Sequence, residues 1–110
     1  MDDKVRKART EALFRDVNER IAESAERFDA DETQFVCECA DARCTHRVDA
    51  TLDEYEQVRD DGARFILAPG HAQHDIERVV HDRGRFHIVE KVQRTVRATV
   101  LRLDPRSQPA

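Results

Sequence analysis

Three cysteines fall within eight residues, in Cys37-Glu38-Cys39-Ala40-Asp41-Ala42-Arg43-Cys44, and they constrain this chain more than any other feature. Thiolates at that spacing repel one another unless a cation sits among them, and zinc held by cysteine sulfur at about 2.3 Å is the common solution. They are the chain's only cysteines, and three cannot all pair as disulfides within one chain. Free cysteine is also among the most buried residue types, so three small core hydrophobes are the competing reading. Glu38, Asp41 and Arg43 weigh against it, because they make the segment read as a polar, exposed loop.

A structural zinc needs a fourth ligand, and five histidines compete for the place. His71 leads, because Ala68-Pro69-Gly70-His71 reads as a tight turn after an apolar run, and a rigid backbone there can present an imidazole. His46 lies two residues beyond Cys44 and can reach back from the same loop, while His74 follows His71 by three residues and shares its face in a helical turn. His81 and His87 read as surface residues. The predicted set is Cys37, Cys39, Cys44 and His71 around a structural zinc, with His46 or His74 as replacements for His71.

Such a staple matters because the chain has 110 residues, five Phe, one Tyr and no Trp. The body left after the terminal segments is about 80 residues, near the size where a hydrophobic core alone is marginal. The predicted division is residues 1–33 as an amphipathic helix and connector, 34–103 as a zinc-stapled domain, and 104–110 as a disordered tail.

From Asp2 to Arg27 there is neither Gly nor Pro, and Phe14, Val17, Ile21 and Phe28 recur at helical spacing. That stripe predicts a long helix packing on its own sheet, with Arg15, Glu19, Arg20, Glu23 and Arg27 solvated; the weakly apolar Val5, Ala8 and Ala12 could instead project toward a partner. Gln34–Cys37 and Arg47–Ala50 predict short strands. Thr51-Leu52-Asp53-Glu54 is a capping box opening a helix to Arg59, with Gly62 suited to a left-handed end. Strands are predicted over 64–68 and 85–92, a short helix over 73–82 ended by Gly84, and another strand over 95–103 from its β-branched residues. The fold class is α+β: a long N-terminal helix, a small antiparallel sheet and two short helices.

The net charge of -4 is divided unevenly, with -8 over residues 1–61 and +5 over 78–110. That asymmetry predicts either internal pairing of the two halves or a basic face carrying Arg94, Arg97 and Arg102 toward nucleic acid. Phe86 is the one aromatic residue in the basic half, so base stacking is poorly supplied. Without an apolar run after Met1 or a stretch long enough to span a bilayer, the chain reads as a cytoplasmic protein with no membrane partner.

These features favour a non-enzymatic zinc-binding interaction or regulatory module with a protein partner. The alternatives are a nucleic-acid-associated protein, a zinc hydrolase using Glu38 or Asp41 as general base, and a thiol redox sensor. No His-Glu-x2-His motif supports the hydrolase.

In order along the chain stand Cys37-Glu38-Cys39 with Cys44, then Thr51, Glu54-Tyr55-Glu56, Val58-Arg59, Arg64-Phe65, Pro69-Gly70-His71, Val79-Val80 and Val89-Glu90-Lys91. In this pattern, beginning near Phe14, the chain resembles a family of small bacterial proteins to which no activity is assigned. The resemblance implies that residues 37–91 form one unit containing His71, and it implies no reaction.

Overall fold

The structure is a computed structural model that describes residues 2–107. Its α+β architecture begins with a 25-residue helix, α1 (Asp3–Arg27). Asp2 caps its start by accepting from the Lys4 N–H at 2.8 Å. At its other end Asp29 takes the left-handed conformation (φ 53°), and the Ala30 N–H reaches Ala25 O at 2.8 Å while the Asp29 N–H reaches Glu26 O at 3.2 Å, the paired bonds of a Schellman stop.

Strands β1 (Glu32–Val36) and β2 (Arg47–Thr51) follow, then helix α2 (Leu52–Arg59), strands β3 (Arg64–Leu67), β4 (Glu77–Asp82) and β5 (His87–Lys91), and helix α3 (Arg94–Arg102). The strands make two antiparallel sheets rather than one: β1 with β2, and a second ordered β3-β5-β4. The capping box at α2 forms as the sequence indicates, with Glu54 N–H on Thr51 Oγ1 at 3.1 Å and Thr51 N–H on Glu54 Oε1 at 2.9 Å.

Two predicted elements exchange type. Residues 73–76 form turns rather than a helix, with the Ile76 N–H on Gln73 O at 3.0 Å, and Glu77–Asp82 is a strand beside β5. Val79 and Val80 suit that edge strand. Conversely, 95–103 is not a strand. Gln93 caps α3 by accepting from the Val96 N–H at 2.8 Å, and Val96, Thr99 and Val100 form the buried helical face that packs along α1. Burial of that face overrides β propensity.

The largest reversal is on α1. Its buried side is Ala8, Glu11, Ala12, Arg15, Asn18, Ala22 and Ala25, not the predicted apolar stripe. Val17 and Phe28 are exposed, and Ala8 and Ala12 lie inside rather than projecting. Small side chains let α1 lie close on α3 and β1, and the charged ones among them bind groups that backbone and core leave available. Arg15, predicted to be solvated, is fully buried and donates to Gly62 O at 2.9 Å and Val100 O at 2.8 Å. Its guanidinium also lies 4.7 Å from the Phe65 ring centroid, as does the ammonium of buried Lys91. Lys91 contacts Glu11 and Glu77, joining α1, β4 and β5 through a fully buried cluster of two carboxyl groups and an ammonium.

Glu19 is also drawn inward. It accepts from Tyr55 Oη at 2.8 Å and from Arg59 Nε at 2.7 Å, while Arg59 also pairs with Asp104. Asp104, placed in the tail by composition, is therefore buried, and Pro105–Ser107 forms a 3-10 turn; the rest of the predicted tail, 108–110, lies outside the described residues. Gly62 has no left-handed backbone. Its lack of a side chain serves close approach, since a Cβ there would stand 2.5 Å from Asp104 Oδ2.

The apolar core between these layers centres on Phe35, stacked on Tyr55 at 4.6 Å, with Phe65, Ile66, Leu67, Ile76, Phe86 and Val89. Among the described residues, no helix is long and apolar enough to cross a membrane.

Candidate metal centre

β1 ends at Val36, and the chain runs on through Cys37-Glu38-Cys39 alongside β3: Glu38 N–H donates to Ile66 O at 2.9 Å. The Glu38 side chain turns inward and is fully buried, with Oε1 accepting from the Ile66 N–H at 3.0 Å and Oε2 from Asn18 Nδ2 at 2.8 Å. Asn18 also closes the end of β1, accepting from the Val36 N–H at 2.8 Å and donating to Val36 O at 2.9 Å. Burial pushes Glu38 up to about 7, opposed by its bonds from Asn18 and the Ile66 N–H. The expectation of a wholly exposed polar loop thus fails at its second residue. Alternation along the extended segment explains the result, since Glu38 points opposite to the two cysteines that flank it.

Cys37 and Cys39 are buried and Cys44 is half-buried. Asp41 makes the intervening turn, accepting from the Arg43 N–H on Oδ1 at 2.9 Å and from the Cys44 N–H on its carbonyl at 3.0 Å. Ala68-Pro69-Gly70-His71 is a type II turn as its sequence demands: Gly70 has φ +82°, and the His71 N–H bonds Ala68 O at 3.2 Å. The same Ala68 donates its N–H to Cys37 Sγ at 3.2 Å. One backbone residue therefore fixes both the first sulfur and the turn that carries the imidazole.

The ligand atoms of Cys37, Cys39, Cys44 and His71 all lie within 4.8 Å of one another. His71 Nδ1 stands 3.6 Å from the sulfurs of both Cys37 and Cys44. A tetrahedral ion with bonds of about 2.0–2.3 Å sets its ligand atoms about 3.5–3.8 Å apart, and the two separations from His71 Nδ1 match that spacing. The thiols bear charge unequally: the hydrogen bond from Cys37 lowers Cys39 to about 5, while the same contact and burial push Cys37 up. Three sulfurs and an imidazole form a donor set that suits a soft or borderline cation.

His46 approaches without joining the cluster. Its Nδ1 is 3.8 Å from Cys44 Sγ, and its ring meets that of His71 edge-on at 4.4 Å between centroids. His74 is exposed and outside the four-residue group. Sequence spacing did not reveal Asn18 and Glu38 as the pair that orients the loop, although an Asn within a helix of charged and apolar residues is a signal of that kind.

Fold and site together define a small α+β protein with a Cys3His cluster compatible with a metal ion. Compared with known protein families, curated proteins and solved structures, the chain matches none.

Proposed function

We propose that the protein is a non-enzymatic module held together by one structural zinc on Cys37, Cys39, Cys44 and His71, and that it works by binding a protein partner. The observation that carries this reading is the convergence of four ligand atoms within 4.8 Å from two backbone segments that are themselves tied together. Four protein ligands complete a tetrahedral zinc and leave no position for a reactive water. Glu38, the candidate base, has an oxygen bound on each side to Ile66 and Asn18, and Asp41 is occupied in its own turn. The geometry therefore favours structure over hydrolysis.

Nucleic acid ranks second because much of the basic half pairs internally. Arg106 bonds Glu19 and Glu56, Arg85 bonds Glu54, and Arg78 bonds Glu90. Arg97, one of the three arginines predicted to meet phosphates, donates to Lys91 O at 3.1 Å.

Metal analysis of the purified protein tests the reading. One zinc per chain is expected, and Cys39→Ser should lose it and melt well below wild type, because binding energy in a small metal domain is folding energy. Unchanged metal content and melting temperature in Cys39→Ser would overturn the proposal.

A further inference from the structure

Three apolar side chains of α1 and its cap face outward, Leu13 at 62% exposed, Val17 at 39% and Phe28 at 74%, while Ile21 beside them is partly buried against the core. With Ile21 and Ser24 these positions lie within about 80° of one another around the helix and extend over about 22 Å of its length. Beside the far end of the stripe lies a groove of about 340 Å³, lined by Ile21, Ser24, Phe28 and Ala30 among others.

Along one flank of the stripe run Asp16, Arg20, Glu23 and Arg27, all exposed and making no ion pair among the described residues. Arg9 on the same flank, and Arg43, Arg47, Arg83 and Arg94 elsewhere, are likewise exposed without an ion pair among the described residues, so what distinguishes residues 16–27 is the order of their charges. Over residues 16–27 the row reads minus, plus, minus, plus, so over that span its reverse is its own complement. In an antiparallel helix pair related by a twofold axis, a flank meets the same flank of the other helix.

We infer that α1 is a homodimerisation surface, packing antiparallel on the α1 of a second copy about an axis near Ile21 and Ala22. In that register Asp16 meets Arg27 of the second copy, Arg20 meets its Glu23, and Leu13 of each chain comes over the groove beside Phe28 and Ala30 of the other. Both apolar knobs leave water while the charged row pairs at the rim. A second copy fits better than an unrelated helix because order of charge, placement of the knob and placement of the groove all satisfy one symmetry operation. The inference goes beyond the metal reading and stands or falls separately, since it is read as molar mass rather than metal content.

Sedimentation equilibrium of the full chain, loaded with its metal, should give twice the 12.7 kDa chain mass. Leu13→Glu and Phe28→Glu should each give monomers with wild-type circular dichroism and metal content, because both side chains already face solvent. Asp16→Arg and Arg27→Asp should each weaken association about tenfold, and the double variant should restore it. A monomeric wild type overturns the inference, as does a dimer indifferent to Leu13→Glu and Phe28→Glu. A double charge variant no better than its single variants also overturns it.

Discussion

Glu11, Glu77 and Lys91 set two carboxyl groups against one ammonium, with none of the three side chains reaching solvent. One carboxylate neutralises Lys91; a second charge would be uncompensated in a medium that solvates it poorly. Glu77 is the natural counter-ion, since its other oxygen accepts from the Gln73 N–H at 2.8 Å, whereas Glu11 Oε1 has no partner among the described residues. Burial above all, with Glu77 alongside and Lys91 opposing, raises Glu11 from 4.5 to about 8. An acid held more tightly protonated when folded adds stability fully present below its unfolded pKa and lost as pH rises through its folded one. Between pH 4.5 and about 8 the native state therefore loses stability relative to the unfolded chain. At about 1.4 kcal/mol per pH unit the loss is about 3–5 kcal/mol, a large part of the stability of a small domain. Glu11→Gln keeps the shape and removes the titration. Urea unfolding of both proteins at successive pH values, each as purified, should show similar stability near pH 5 and a growing advantage of the variant, about 3–5 kcal/mol by pH 8. Protonation of the metal ligands acts on both proteins and cancels in the difference. A difference between the curves that does not change with pH would refute the argument.

Two backbone positions give further expectations. Gly62→Ala should destabilise by about 1–3 kcal/mol in urea unfolding, because its Cβ meets Oδ2 of Asp104, a carboxylate that Arg59 and the Arg106 N–H hold in place through Oδ1. Gly70→Ala has open space around it but must adopt φ +82°. It should cost about 1 kcal/mol and, on the proposed metal reading, weaken metal retention in a chelator competition, because the strained turn carries His71.

The convergence of the three cysteines and His71 was legible because its information is local. Cys37 and Cys39 alternate along an extended segment, Cys44 returns through an Asp-led turn, and Pro69-Gly70 dictates the bend that presents His71. The capping box at Thr51 and the strands at 64–67 and 87–91 are legible for the same reason: propensity, turn chemistry and burial agree there. At 77–82 and 94–102 they disagree. Val79-Val80 and Val96 are compatible with either state, and a neighbouring surface decides between strand and helix.

Residues 3–27 mark the boundary most clearly. Composition and the lack of Gly or Pro determine that they form a helix, and spacing determines that the helix has two dissimilar faces. Which face turns inward is decided in three dimensions. The inner side must satisfy carbonyls at Gly62 and Val100, the end of β1 at Val36, and the ammonium of Lys91, and only Arg15, Asn18 and Glu11 carry groups that can do so. Hydrophobicity, summed along a sequence, cannot register that need, because the cost of leaving a buried polar group unpaired exists only once the rest of the chain has surrounded it.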